Sequence, residues 1–218
     1  AAAAIDFLAG RYPGSPVTLV GFSLGGNIAL KLLGELGSLP CGGLDSCMAV
    51  CPPIDLERCS ERMQWLQNRL YDAHFVGLLL RQIRQREAAA PLAARVELAR
   101  RPRSLREFDD RYTAPLCGFG RVENYYQQAS AAPLLAKIGR PTLILAAADD
   151  PLIPERPFDS WPRSEWVRLH IARRGGHLGF VAHRPGQAAG DMRAMADADR
   201  RWMDWCVVDW ILAVAKQG

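Results

Sequence analysis

The chain of 218 residues has no apolar run long enough to cross a bilayer. Its longest apolar window, Cys206 to Ala215, contains Asp209 and falls well short of the roughly 20 residues a spanning helix needs. No signal-peptide pattern opens it, so a cytoplasmic, reducing setting is expected. The cysteines lack any CxxC pair: Cys41, Cys47, Cys51, Cys59, Cys117 and Cys206 sit largely in apolar stretches, and no Cys/His group has zinc spacing. Free thiols and no metal ion are therefore expected. Lysine is scarce, with only Lys31, Lys137 and Lys216 among 27 basic residues. That arginine bias, alongside many alanines, is what a GC-rich coding sequence produces and identifies no partner. No nucleic-acid-binding motif accompanies the arginines, which excludes nucleic acid as an expected partner. Internal repeats and low-complexity tracts are absent, and the 19 glycines and 15 prolines are scattered.

What is present is the composition of a folded chain, 49% hydrophobic and 23% charged. The net charge of +4 is localised, because Glu57 to Arg111 holds 12 arginines against 8 acidic residues while the remainder balances at 15 against 15. Such a segment reads first as a solvated helical face and second as a peripheral contact with an anionic membrane surface.

Pro16 to Phe22 is a β-branched, apolar run bounded by Pro13-Gly-Ser-Pro16, the pattern of a buried strand. It ends at Gly21-Phe-Ser-Leu-Gly-Gly26, after which Ile28, Leu32 and Leu36, with Leu33 beside them, predict a helix stopping at Gly37. Leu44 to Val50, Pro141 to Ala146 and Trp166 to Ile171 read as three further strands. Strands separated by helices point to a parallel sheet with its ligands at the carboxyl ends of the strands. Between the second and third strands, 55–132 carries helical stretches only, with Met63, Leu66, Leu70 and Ala73 expected on one face of a helix over Glu57 to Arg86. A last helix, roughly Asp197 to Lys216, aligns Trp202, Cys206, Trp210 and Val214 for packing.

Gly21-Phe-Ser23-Leu-Gly25 is a GxSxG sequence at a strand-to-helix turn. Its two glycines are expected to permit the tight turn that lifts the Ser23 hydroxyl clear of the sheet at a helix N-terminus. A serine hydroxyl is a weak nucleophile and needs a base, which needs an orienting carboxylate. Asp150, ending the third strand, and His177, in the loop after the fourth, supply these in the order Ser, Asp, His. Three other histidines compete: His170 alternates within a strand, His74 lies on a helix of the insertion, and His183 precedes Arg184-Pro185. His177 is preferred because Gly175, Gly176 and Gly179 flank it. Asp150 is preferred to its neighbour Asp149, which is expected to cap or solvate the turn, and Asn27 is expected to support the start of its helix.

Gly21-Phe-Ser-Leu-Gly-Gly-Asn27, Asp149-Asp-Pro151 and Gly175-Gly-His-Leu-Gly-Phe180 resemble the α/β-hydrolase superfamily, specifically its YheT-like branch. Phe108-Asp-Asp-Arg-Tyr-Thr-Ala-Pro115, with Tyr125-Tyr126 after it, is similar to that branch as well. The resemblance implies an α/β-hydrolase fold, a parallel sheet flanked by helices. It divides the chain into a core of 1–54 and 133–218 and an inserted helical cap of 55–132, in which Leu70, Phe75, Leu78, Leu79 and Leu80 either line an acyl site or pack the cap. It further implies a serine hydrolase acting on carboxylic esters such as acylglycerols, with Ser23 as nucleophile, Asp150 as acid, His177 as base, the Leu24 N–H as oxyanion donor, and no cofactor. An acyltransferase on the same triad, or a catalytically silent lipid- or protein-binding relative, would show the same pattern. The family has about eight strands and this chain shows four. A longer natural protein, or an incomplete gene model, is therefore expected, and with the second oxyanion donor missing this chain is expected to be weakly active or inactive.

Overall fold

The computed structural model describes residues 1–89, 101–181 and 200–216. The chain divides into two compact units, one built from Ala1–Ile54 with Ala131–Gly218 and the other from Asp55–Ser130.

The first unit is organised by four parallel strands, β1 (Val17–Phe22), β2 (Leu44–Val50), β3 (Thr142–Ala147) and β4 (Val167–Ala172), in the spatial order β1-β2-β3-β4. Each lies within a residue of its expected run: β2 and β3, buried nearly throughout, carry the near-continuous series that covered strands need, whereas β4 alternates, with Arg168 and His170 exposed. Burial is deepest in the middle of the sheet, where Cys47, Met48, Ala49, Val50, Ile144 and Leu145 are sealed from solvent. Helix α1 (Ala2–Arg11) precedes β1, and α2 (Leu24–Leu36) follows it and packs on β1 and β2.

The inward face of α2 differs from the expected one. Ile28 is 51% exposed, and the buried residues are Gly26, Asn27, Ala29, Leu30, Leu33 and Gly34. Close approach decides this in place of side-chain size: a Cβ on Gly34 would lie 2.5 Å from Leu134 Cβ and 2.8 Å from its carbonyl oxygen, in the 3-10 turn Ala132–Lys137. Asn27 is buried, and its Oδ1 accepts the Ala131 N–H at 2.9 Å. Asn27 thus ties α2 to the chain re-entering the unit, a contact 104 residues away in sequence, and does not merely support its own helix.

The regular elements among the described residues of the second unit are all helical: α3 (Leu56–Met63), α4 (Arg69–Ala89), α5 (Leu105–Phe108), a π-helical turn (Asp109–Thr113), α6 (Ala114–Leu116) and α7 (Val122–Ala129), with a short 3-10 turn at Leu66–Asn68. The single helix expected over Glu57 to Arg86 is interrupted at Trp65, whose φ of −62° and ψ of 146° are extended. The expected face is lost with it. Met63 is buried but Leu66 and Leu70 are 82% and 86% exposed, and the inward side of α4 carries Asp72, Val76 and Ile83. Asp109 organises the unit: its carboxylate accepts the Thr113 hydroxyl at 2.7 Å and the Tyr126 hydroxyl at 2.8 Å. Arg106 pairs with Glu57 at 2.7 Å and Glu123 at 2.8 Å and stands over the Tyr126 ring. Burial raises the Asp109 carboxyl above the usual carboxylate range, and it raises the Tyr126 phenol as well.

Helix α8 (Arg156–Ser160) lies between β3 and β4, and α9 (Trp202–Ala215) closes the described chain. Trp202 packs against Phe180 and His170, with ring centroids 5.8 and 6.0 Å apart, so this aromatic serves packing.

Candidate active site

β1 delivers Ser23 at its carboxyl end, in a conformation that few L-residues adopt, φ 50° and ψ −124°. Such a strained backbone persists only where its surroundings enforce it. Here the Ser23 N–H donates to the Val50 carbonyl at 2.8 Å while the Ser23 carbonyl accepts the Gly26 N–H at 2.9 Å, so the residue is held by sheet and helix at once. Gly21 is indispensable to the turn, since a Cβ there would lie 2.4 Å from the Gly25 carbonyl oxygen. Gly25 itself faces open space. The second glycine that close contact demands is Gly26, where a Cβ would come within 3.0 Å of Pro52 and 3.1 Å of the Gly21 oxygen. Leu24 opens α2, so its N–H has no intrahelical acceptor and belongs to the electropositive end of the helix.

β3 delivers Asp150, 2% exposed. One carboxylate oxygen accepts the N–H groups of Leu152 and Ile153 at 2.8 and 3.0 Å, and the other faces His177 Nδ1 at 2.9 Å. A carboxylate can only accept, so the imidazole proton belongs on Nδ1 and Nε2 is left with its lone pair. That nitrogen lies 2.9 Å from Ser23 Oγ. The three side chains expected to act together therefore form one continuous chain, contributed by residues up to 154 apart in sequence.

The loop carrying His177 is fixed by the other aspartate. Asp149 Oδ1 accepts the N–H groups of Gly175 and Gly176, both at 2.8 Å, and chiefly the Gly176 bond lowers its carboxyl below the ordinary value. Asp149 thus anchors the histidine loop beyond its own turn. Gly175 cannot be replaced cheaply, because a Cβ would meet the Phe180 ring at 2.5 Å. His170 is exposed on β4, His74 is exposed on α4, and His183 lies outside the described residues. Cys51 is an unexpected neighbour. Fully buried at the end of β2 with φ 45°, it places Sγ 3.9 Å from the Gly176 carbonyl, and its thiol is pushed up to about 12, mainly by burial.

A strained serine after a strand, a helix N-terminus beneath it and a Ser–His–Asp chain across the strand ends agree with the sequence comparison, in which the model of the alpha/beta hydrolase family matches residues 1–191. The chain belongs to the alpha/beta hydrolase family. Within the family it is 36% identical over 173 residues to YheT of Escherichia coli (strain K12), whose name carries a provisional esterase assignment; the match covers 77% of this chain and 49% of that protein. It is 28% identical over 176 residues to human phospholipase ABHD3, covering 78% of this chain and 42% of that protein. It is 28% identical over 230 residues to mouse monoacylglycerol lipase ABHD2, covering 98% of this chain and 52% of that protein. The chain spans about half the length of the curated relatives it matches.

Proposed function

We propose that this alpha/beta hydrolase carries the nucleophile, acid and base of a carboxylic ester hydrolase. The observation that supports it is the unbroken chain from Ser23 Oγ through both His177 nitrogens to Asp150, at 2.9 Å per link. His177 Nε2 takes the hydroxyl proton as Ser23 attacks an ester carbonyl, and Asp150 stabilises the imidazolium that results. The Leu24 N–H receives the developing oxyanion. The protonated base then gives its proton to the departing alcohol, and water activated by the same nitrogen releases the acyl group. Two relatives named for lipid ester cleavage direct the substrate reading towards acylglycerols and other lipid esters. We take 1–54 with 133–218 as the hydrolase core and 55–132 as its inserted cap.

The second unit supports a reading as a contact with anionic lipid surfaces. Trp65, Leu66 and Leu70 are exposed, the Arg62 guanidinium lies 4.4 Å from the Trp65 ring centroid, and Arg58 and Arg69 are exposed nearby in sequence. Apolar side chains bordered by arginines suit the boundary between headgroups and acyl chains. Among the described residues no helix is long and apolar enough to cross a membrane. The free thiols of Cys41, Cys47, Cys51 and Cys117 fit a cytoplasmic setting.

The test is fluorophosphonate labelling with mass-spectrometric site mapping, followed by profiling on acylglycerols of graded chain length. Labelling confined to Ser23, lost in Ser23→Ala, is expected; labelling of the folded chain at another residue, surviving Ser23→Ala, would overturn the assignment.

A further inference from the structure

Cys51 is the one group at this site that the hydrolytic mechanism leaves without a task. Its Sγ, a carboxylate oxygen of Asp150 and a ring nitrogen of His177 lie within 4.8 Å of one another. Thiolate, imidazole and carboxylate together are a donor set suited to zinc. In a tetrahedral zinc site, bonds of roughly 2.0 to 2.3 Å put ligand atoms about 3.3 to 3.8 Å apart. The His177–Asp150 separation of 2.9 Å must open slightly, while the sulfur, no more than 4.8 Å from the other two atoms, needs to close by at most roughly 1.3 Å, a shift that the glycine-flanked loop carrying His177 can share.

We propose that Cys51, Asp150 and His177 form an inhibitory site for zinc or a similar thiophilic divalent ion, occupied in competition with the acid–base pair. The regulatory consequence rests on the hydrolase reading, but the site itself does not. Its chemistry balances simply: Cys51 S–H loses its proton to solvent and the thiolate binds the ion. Nδ1 gives up its proton to Nε2 and coordinates through the freed lone pair. Nε2, now carrying hydrogen, can donate to Ser23 Oγ but can no longer accept its proton. Asp150 is diverted from the ring to the metal. Metal binding thereby switches off the base by tautomer as well as by steric occupation. Cys51 lies 99 and 126 residues from the other two ligands, which is why linear zinc spacing does not reveal the set.

The experiment uses the full chain as a Ser23→Ala variant titrated with Co²⁺, whose thiolate bond gives a charge-transfer absorption. We expect that absorption in Ser23→Ala and its loss when Cys51→Ala is added, the other five cysteines being kept; Cys51→Ser, closer in size, replaces Cys51→Ala if the latter fails to fold. With Ser23 present, Zn²⁺ should suppress fluorophosphonate labelling reversibly to chelator, and Cys51→Ser should raise the concentration needed at least tenfold. An absent band, or one that survives loss of Cys51, would overturn the metal site. A Cys51-dependent band together with fluorophosphonate labelling that survives Ser23→Ala leaves the metal site standing and removes the hydrolase reading, whereas Ser23-dependent labelling without the band does the reverse.

Discussion

At the scale of single residues, adjacent carboxylates divide one task. Asp150 orients the imidazole ring, and Asp149 holds the backbone that presents it through Gly175 and Gly176. Asp149→Ala should lower kcat for ester turnover between about 10- and 100-fold with little change in KM, because misplacing a base by an ångström has effects of that order. A variant with unchanged kcat would show that the loop holds itself. Asn27→Ala leaves the buried Ala131 N–H without its acceptor and should cost about 1–3 kcal/mol in urea unfolding. The convergence of Ser23, Asp150 and His177 was legible in the sequence because motif, order and flanking glycines are local signals. The tasks of Asp149 and Asn27, and the presence of Cys51 beside the triad, were not. They depend on partners 26, 104 and 125 residues away, and nothing in the local pattern records them.

At the scale of elements, the strands were readable to within a residue, since burial imposes a near-continuous apolar run on β2 and β3 and an alternating one on β4. The helix faces were not. On α2 a close backbone crossing at Gly34 sets the inward side, and on α4 the exposed leucines mislead a rule that places leucines inside. Gly34→Ala should therefore destabilise the first unit by about 1–3 kcal/mol, the range for forcing atoms into a packed contact, in place of the small gain alanine usually brings to a helix. In the second unit, burial raises Asp109, so the folded state retains a proton that the unfolded state has released. The stabilisation this gives is complete below the unfolded carboxylate value of about 3.9 and is lost as pH rises through the higher folded value. Asp109→Asn should flatten that part of the stability profile. Urea midpoints measured across the acidic range for both proteins check it, and parallel profiles would show that Asp109 carries no such proton linkage.

At the scale of the whole molecule, charge and exposed apolar residues coincide in the second unit. Sedimentation with vesicles of phosphatidylcholine and phosphatidylglycerol should exceed that with phosphatidylcholine alone, and Leu66→Asp with Leu70→Asp should abolish the difference. Equal binding to both vesicles would exclude the anionic preference. A separate consequence follows from the strand order. Ser23 leaves β1 and His177 follows β4, the two outermost strands of the described sheet, so their 2.9 Å bond closes a loop over its full width. Any splay or shear among the four strands accumulates at that one junction. The Ser23–His177 bond works as a strain gauge for the sheet, and on slow heating Ser23 reactivity should fade several degrees before the circular-dichroism signal of the strands and helices does.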